Sequence, residues 1–141
     1  ILDVGCGSGI LSIAAAKLGA TSVLGLEVDT VAFKVAKANV LRNGVAETVK
    51  IVLGTLPRSD VQTNSYDIVV ANISAKVAVE LARDLVAVVE PGGTLVISGV
   101  LMKNKDTVVQ RVLEEGALVE CSVIDGDWVS LVVSLPRAAR V

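Results

Sequence analysis

The stretch Leu2-Asp3-Val4-Gly5-Cys6-Gly7-Ser8-Gly9-Ile10-Leu11 decides the fold. A short apolar strand runs into glycines at alternate positions, then directly into a helical pattern. Glycine takes positive φ without a steric penalty and lets a ligand lie against bare backbone. The start of the helix beyond it presents unpaired N–H groups. In an open α/β sheet the ligand crevice lies at the carboxyl ends of the strands, which is where such a turn sits.

Outward from that turn, apolar runs alternate with longer helical patterns. The runs at 1–4, 22–26, 49–53, 67–71 and 94–98 are rich in Val, Ile and Leu and mostly lack polar alternation. Strands buried on both faces of a parallel sheet look like this. Helices are predicted over 10–18, 31–43, 76–89 and 105–115. Asp29 and Thr30 offer caps to the second, and Asn43-Gly44 offers it a left-handed stop. Pro91-Gly92-Gly93 is read as the turn into the fifth strand. After Gly116 the rhythm changes: runs at 118–124 and 128–135 flank Asp125-Gly126-Asp127, a strong hairpin signal. The loose polar stretch lies at 57–65. The prediction is one α/β domain over 1–141, a mostly parallel sheet ending in an antiparallel hairpin.

Composition narrows the chemistry. The 141 residues are 52% hydrophobic and 20% charged, with 13 Lys and Arg against 15 Asp and Glu, a net charge of −2. The mean hydropathy is +0.69. Such a chain is not of the disordered class, and its near balance of charge gives no sequence-wide case for gripping nucleic acid. Aromatics, at 2%, are too few for base-stacking platforms. With no histidine, imidazole catalysis and imidazole metal ligation are excluded for these residues. Cys6 and Cys121 form no CxxC pair, so neither a disulfide framework nor a metal site is expected, and a reducing, cytoplasmic setting is. No window supports a spanning helix, and the first residues do not read as a signal peptide.

The spacing of the turn selects its ligand. A dinucleotide fingerprint is G-x-G-x-x-G, whose third glycine packs helix against sheet. Here the glycines are Gly5, Gly7 and Gly9, and position 10 is Ile, so the pattern fails by one residue. Asp3 stands inside the strand just before the turn, poor company for a diphosphate but suited to a cation. Glu27, at the end of the second strand, is placed to accept from both hydroxyls of a ribose; Asp29 is the other candidate. A cationic nucleoside without phosphate fits, and S-adenosylmethionine is the common cofactor of that kind.

The run from Asp3 to Ala14 resembles the first motif of class I S-adenosylmethionine-dependent methyltransferases. Within that class the chain looks most like the ribosomal protein L11 methyltransferase family. The matches continue in order through Gly25-Leu26-Glu27-Val28-Asp29, Ala38-Asn39, Arg42-Asn43-Gly44-Val45 and Val69-Val70-Ala71-Asn72-Ile73-Ser74-Ala75. They go on through Leu81-Ala82, Pro91-Gly92-Gly93-Thr94-Leu95, Ser98-Gly99-Val100-Leu101 and Gly126-Asp127-Trp128-Val129. The resemblance implies a Rossmann-like methyltransferase sheet, S-adenosylmethionine as cofactor, and lysine amino groups of a ribosomal protein as acceptors. It implies cofactor contacts from Asp3, Gly5, Gly7, Gly9, Glu27 (where the family usually has Asp), Thr55 and Asn72. Asn72 would also touch the acceptor amine and orient its lone pair, catalysis by proximity without a covalent intermediate. Helix capping is the plain alternative for Asn72; Cys6 is read as a small turn residue and Trp128 as a core residue.

Two family parts are expected ahead of this stretch: a recognition domain, and a helix with a cofactor-covering loop. The chain is therefore read as an N-terminally truncated form. A non-catalytic or degenerate S-adenosylmethionine-binding fragment is the competing reading. A nicotinamide dehydrogenase is disfavoured by Ile10 and by the lack of a Tyr–Lys or His base. A base methyltransferase is disfavoured because Ile73-Ser74 follow Asn72 with neither proline nor an aromatic to hold a flipped base.

Overall fold

The computed structural model describes residues 1–136. Two compact units divide it, one spanning Ile1–Thr55 and one from Leu56 onward.

In the first unit β1 (Leu2–Val4), β2 (Val23–Glu27) and β3 (Val49–Leu53) alternate with α1 (Ile10–Lys17) and α2 (Thr30–Arg42). All pairing is parallel, with Leu2 opposite Leu24 and Val23 opposite Val49. Parallel neighbours need a crossover, and each helix supplies one. Cys6, Ile13, Val23, Ala36, Val40, Val49 and Ile51 form its core, with Phe33 and Val45 packed on it. Asp29 is the N-cap of α2, its Oδ1 accepting from Val31 N at 2.9 Å and Ala32 N at 2.7 Å. Gly44, at φ 66°, follows the last turn as expected.

The second unit holds β4 (Tyr66–Asn72), α3 (Ala75–Val88), β5 (Val89–Leu101), a one-turn 3-10 helix (Met102–Asn104), α4 (Lys105–Glu114), β6 (Leu118–Asp125) and β7 (Trp128–Ser134). β4 and β5 pair in parallel, β7 joins β5 antiparallel, and β6 closes the hairpin on β7. On α3 the buried Ala78, Ala82, Leu85 and Val86 form one stripe; Val108 and Val112 do so on α4.

β5 departs from the expectation. It begins at Val89 rather than Thr94, and Pro91-Gly92-Gly93 lies inside it. The reason is register: Tyr66 pairs with Val89, yet Ile68 pairs with Thr94, so the Pro-Gly-Gly segment is looped out of a continuous ladder. Among the described residues no helix is long and apolar enough to cross a membrane.

Candidate functional site

The glycine turn is held from β2. The N–H groups of Gly5 and Cys6 both donate to Leu26 O, at 2.8 and 2.9 Å. Asn39 on α2 adds a third tie, its Nδ2 donating to Ser8 O at 2.9 Å. Gly5, Gly7 and Gly9 all take positive φ, at 72°, 55° and 82°. At Gly9 a Cβ would also lie 3.4 Å from Ala36 Cβ, so glycine lets the start of α1 close against α2.

Glu27 is 7% exposed and bridges two backbone segments. Its Oε2 accepts from Gly7 N at 2.8 Å and its Oε1 from Asp29 N at 2.9 Å. Each carboxylate oxygen thus carries one hydrogen bond and keeps a further lone pair, the chemistry a ribose diol requires. Asp29, the other candidate, is occupied as the cap of α2 and exposed. Gly54 N donates to Glu27 O at 2.7 Å, holding the loop after β3 to the end of β2. Thr55 follows it, half-buried, its side chain without a hydrogen bond among the described residues.

Asp3 is 1% exposed. Its Oδ2 accepts from Ser12 Oγ at 2.7 Å, whereas Oδ1 is buried with no partner among the described residues. Burial pushes its carboxyl above the usual carboxylate range, the Ser12 hydrogen bonds pull it back, and the Glu27 charge pushes it up again. An orphaned acceptor costs free energy that a donor or cation from a ligand would recover. A cationic nucleoside therefore fits this unit: an acid with one orphaned oxygen, a carboxylate with free lone pairs and a bare glycine backbone. Burial first, then Asp3 and Glu27, push the Cys6 thiol up to about 12, so it is an inert small residue. Ser12, Asp3's partner, escaped the sequence reading; a lone hydroxyl in the apolar run Ile10–Ala16 was the available signal.

Asn72 belongs to the second unit, as the last residue of β4 opposite Ser98. The cap of α3 is Ser74, whose Oγ accepts from Val77 N at 3.5 Å, so Asn72 is not spent on capping. Its exposed side chain makes no hydrogen bond among the described residues. It lines a cleft of about 480 Å3 together with Ile73, Ser74, Ser98, Gly99 and Trp128. Trp128 is 54% exposed, correcting its expected place in the core. It opens β7 at the hairpin end, at the rim of the cleft. Among the described residues no cluster of His, Cys, Asp or Glu could hold a metal ion.

The family model for ribosomal protein L11 methyltransferase matches residues 1–136. The chain belongs to that family. A curated ribosomal protein L11 methyltransferase from Halalkalibacterium halodurans is 42% identical over 132 residues, 94% of this chain and 42% of its own length. The chain thus spans less than half of that relative. The solved ribosomal protein L11 methylase from Lactobacillus delbrueckii subsp. bulgaricus is 30% identical with a TM-score of 0.89, covering 96% of this chain and 69% of that one. An RNA methyltransferase from Salinibacter ruber, solved with S-adenosyl-L-homocysteine, shares the fold alone at 21% identity and TM-score 0.76, over 99% and 82% of the two chains. The fold is the mostly parallel, Rossmann-like methyltransferase sheet with an antiparallel end.

Proposed function

We propose that this chain carries the catalytic machinery of an S-adenosylmethionine-dependent N-methyltransferase acting on lysine amino groups of a ribosomal protein. The observation that carries the reading is Asn72: an unpaired amide at the carboxyl end of β4, facing an open cleft, in a chain of this family. Bound S-adenosylmethionine supplies an electrophilic methyl on a sulfonium. In the first unit, the residues fitted to hold it are Asp3, the backbone of Gly5, Gly7 and Gly9, Glu27 and Thr55. Asp3 meets positive charge with Oδ1, the carboxylate oxygen that Ser12 leaves without a hydrogen bond. Glu27 accepts from the ribose while keeping the glycine turn in place.

Asn72 Oδ1 accepts a hydrogen bond from the acceptor amine and so fixes the direction of the nitrogen lone pair. No covalent enzyme intermediate is needed, and positioning alone lowers the barrier. Calorimetry of the gene's full product with S-adenosylhomocysteine tests the cofactor half. Radiolabelled methyl transfer to purified ribosomal protein L11, read by lysine mapping, tests the acceptor half. A folded protein that binds no S-adenosylhomocysteine overturns the reading; binding without any lysine methylation leaves only a cofactor-binding module.

A further inference from the structure

The β5–β7 ladder is broken at one place. Ile97 pairs with Leu131 and Val100 with Val129, so Ser98 and Gly99 on β5 stand against Ser130 alone. This is a β-bulge, and bulges beside functional sites re-aim side chains. Ser98 Oγ and Ser130 Oγ share a 2.7 Å hydrogen bond across it. On the other flank, Ile73 N donates to Ser98 O at 3.0 Å, continuing the β4–β5 pairing one residue past Asn72.

Gly99, at φ 77°, lies directly against the Asn72 amide. A Cβ there would sit 2.7 Å from Asn72 Oδ1, 2.9 Å from Ile73 O and 3.2 Å from Ile73 N. Two of these atoms are backbone, so a side-chain rotation at Asn72 cannot relieve the clash; the Ile73 backbone must move. The glycine is therefore required twice, for its φ and for its missing methyl.

We propose that the Ser98–Gly99 bulge, pinned by Ser130, is the device that holds the Asn72 amide in its orientation. Gly99 and Ser130 are then positioning residues that act through Asn72. The inference rests on the reading of Asn72 as the group that orients the acceptor amine. It adds the structure that keeps the amide in place.

The test uses the full product of the gene, with Gly99→Ala, Ser130→Ala and Ser130→Thr. The Asn72 side-chain amide resonances, assigned by their loss in Asn72→Ala, are followed by 15N NMR. Both Gly99→Ala and Ser130→Ala shift them, while affinity for S-adenosylhomocysteine stays within twofold. Since a displacement of about 1 Å costs roughly 100-fold in rate, Gly99→Ala lowers kcat by about that factor with KM little changed. Ser130→Ala, which loses one neutral hydrogen bond, lowers kcat about fivefold, and Ser130→Thr restores it. A purely structural role would lower Tm and leave kcat per folded molecule alone. Asn72 resonances unmoved in Ser130→Ala and in any folded Gly99→Ala protein overturn the proposal. If the unaltered protein transfers no methyl, the functional reading fails, yet the NMR result still decides whether the bulge holds Asn72.

Discussion

Asn72, Asp3 and Glu27 owe their chemistry to what surrounds them. Glu27 is satisfied twice by backbone N–H groups, whereas Asp3 keeps a buried oxygen without a partner. Among the described residues the side-chain amide of Asn72 makes no hydrogen bond. On the proposed reading, replacing Asn72 by alanine removes the acceptor for the amine. The expected result is a kcat lower by about 100-fold and a much smaller change in S-adenosylhomocysteine affinity; equal losses in both would make Asn72 a cofactor residue only. Asp3 gives a pH prediction. Its carboxyl titrates above the ordinary 3.8 because it is buried. Between that ordinary value and the raised one, the native chain binds more protons than the unfolded chain, so stability falls as pH rises through the window. The cost is fully present above the raised value and relieved below it. Measured against Asp3→Asn, the unaltered protein therefore gains Tm as pH is lowered from 7 towards 4, where about 1 kcal/mol is worth roughly 3–5 °C. A Tm difference that stays flat across that range would remove the buried charge from the account.

The elements that were legible in the sequence are those whose signals are local. The β1–turn–α1 unit is written in three glycines, α2 in Asp29 at its start and Gly44 at its end, and the last hairpin in Asp125-Gly126-Asp127. β5 was not legible over its full length. Its ladder depends on β4 on one side and β7 on the other, and both of its irregularities exist only in those pairings. Pro91-Gly92-Gly93 reads locally as a turn, but distant partners make it an excursion within a strand. The Ser98–Gly99 bulge left no local mark beyond a glycine, for the same reason. The acids at the end of β2 differ in kind, and this separates them experimentally. Asp29→Ala removes a cap worth about 1 kcal/mol and lowers Tm by a few degrees, with S-adenosylhomocysteine affinity unchanged. Glu27→Gln keeps an acceptor but loses the charge that strengthens its hydrogen bonds, and weakens that affinity about tenfold. Calorimetry on the two variants distinguishes cap from ribose acceptor; the opposite pattern would assign the ribose to Asp29.

The composition of the chain and the lining of the cleft together specify how rate should depend on pH. There is no histidine among the 141 residues. Among the described residues, the six that line the cleft, Asn72, Ile73, Ser74, Ser98, Gly99 and Trp128, carry no group that titrates between pH 5 and 9. Lysine is protonated there, with an ordinary pKa of about 10.4, and only the neutral amine has a lone pair to donate. A base built into the cleft would add an inflection near its own pKa. On the proposed reading, with no such base among these six, the supply of neutral amine limits the reaction, and an amide that accepts from nitrogen serves either protonation state. Methyl transfer to ribosomal protein L11 should then show log kcat/KM rising by about one per pH unit from 6 to 9, with no plateau below the pKa of the amine. Steady-state rates at saturating S-adenosylmethionine across that range check it. A plateau beginning near pH 7 would mean that a titrating group outside these six takes the proton, and that Asn72 shares the work of activating the amine.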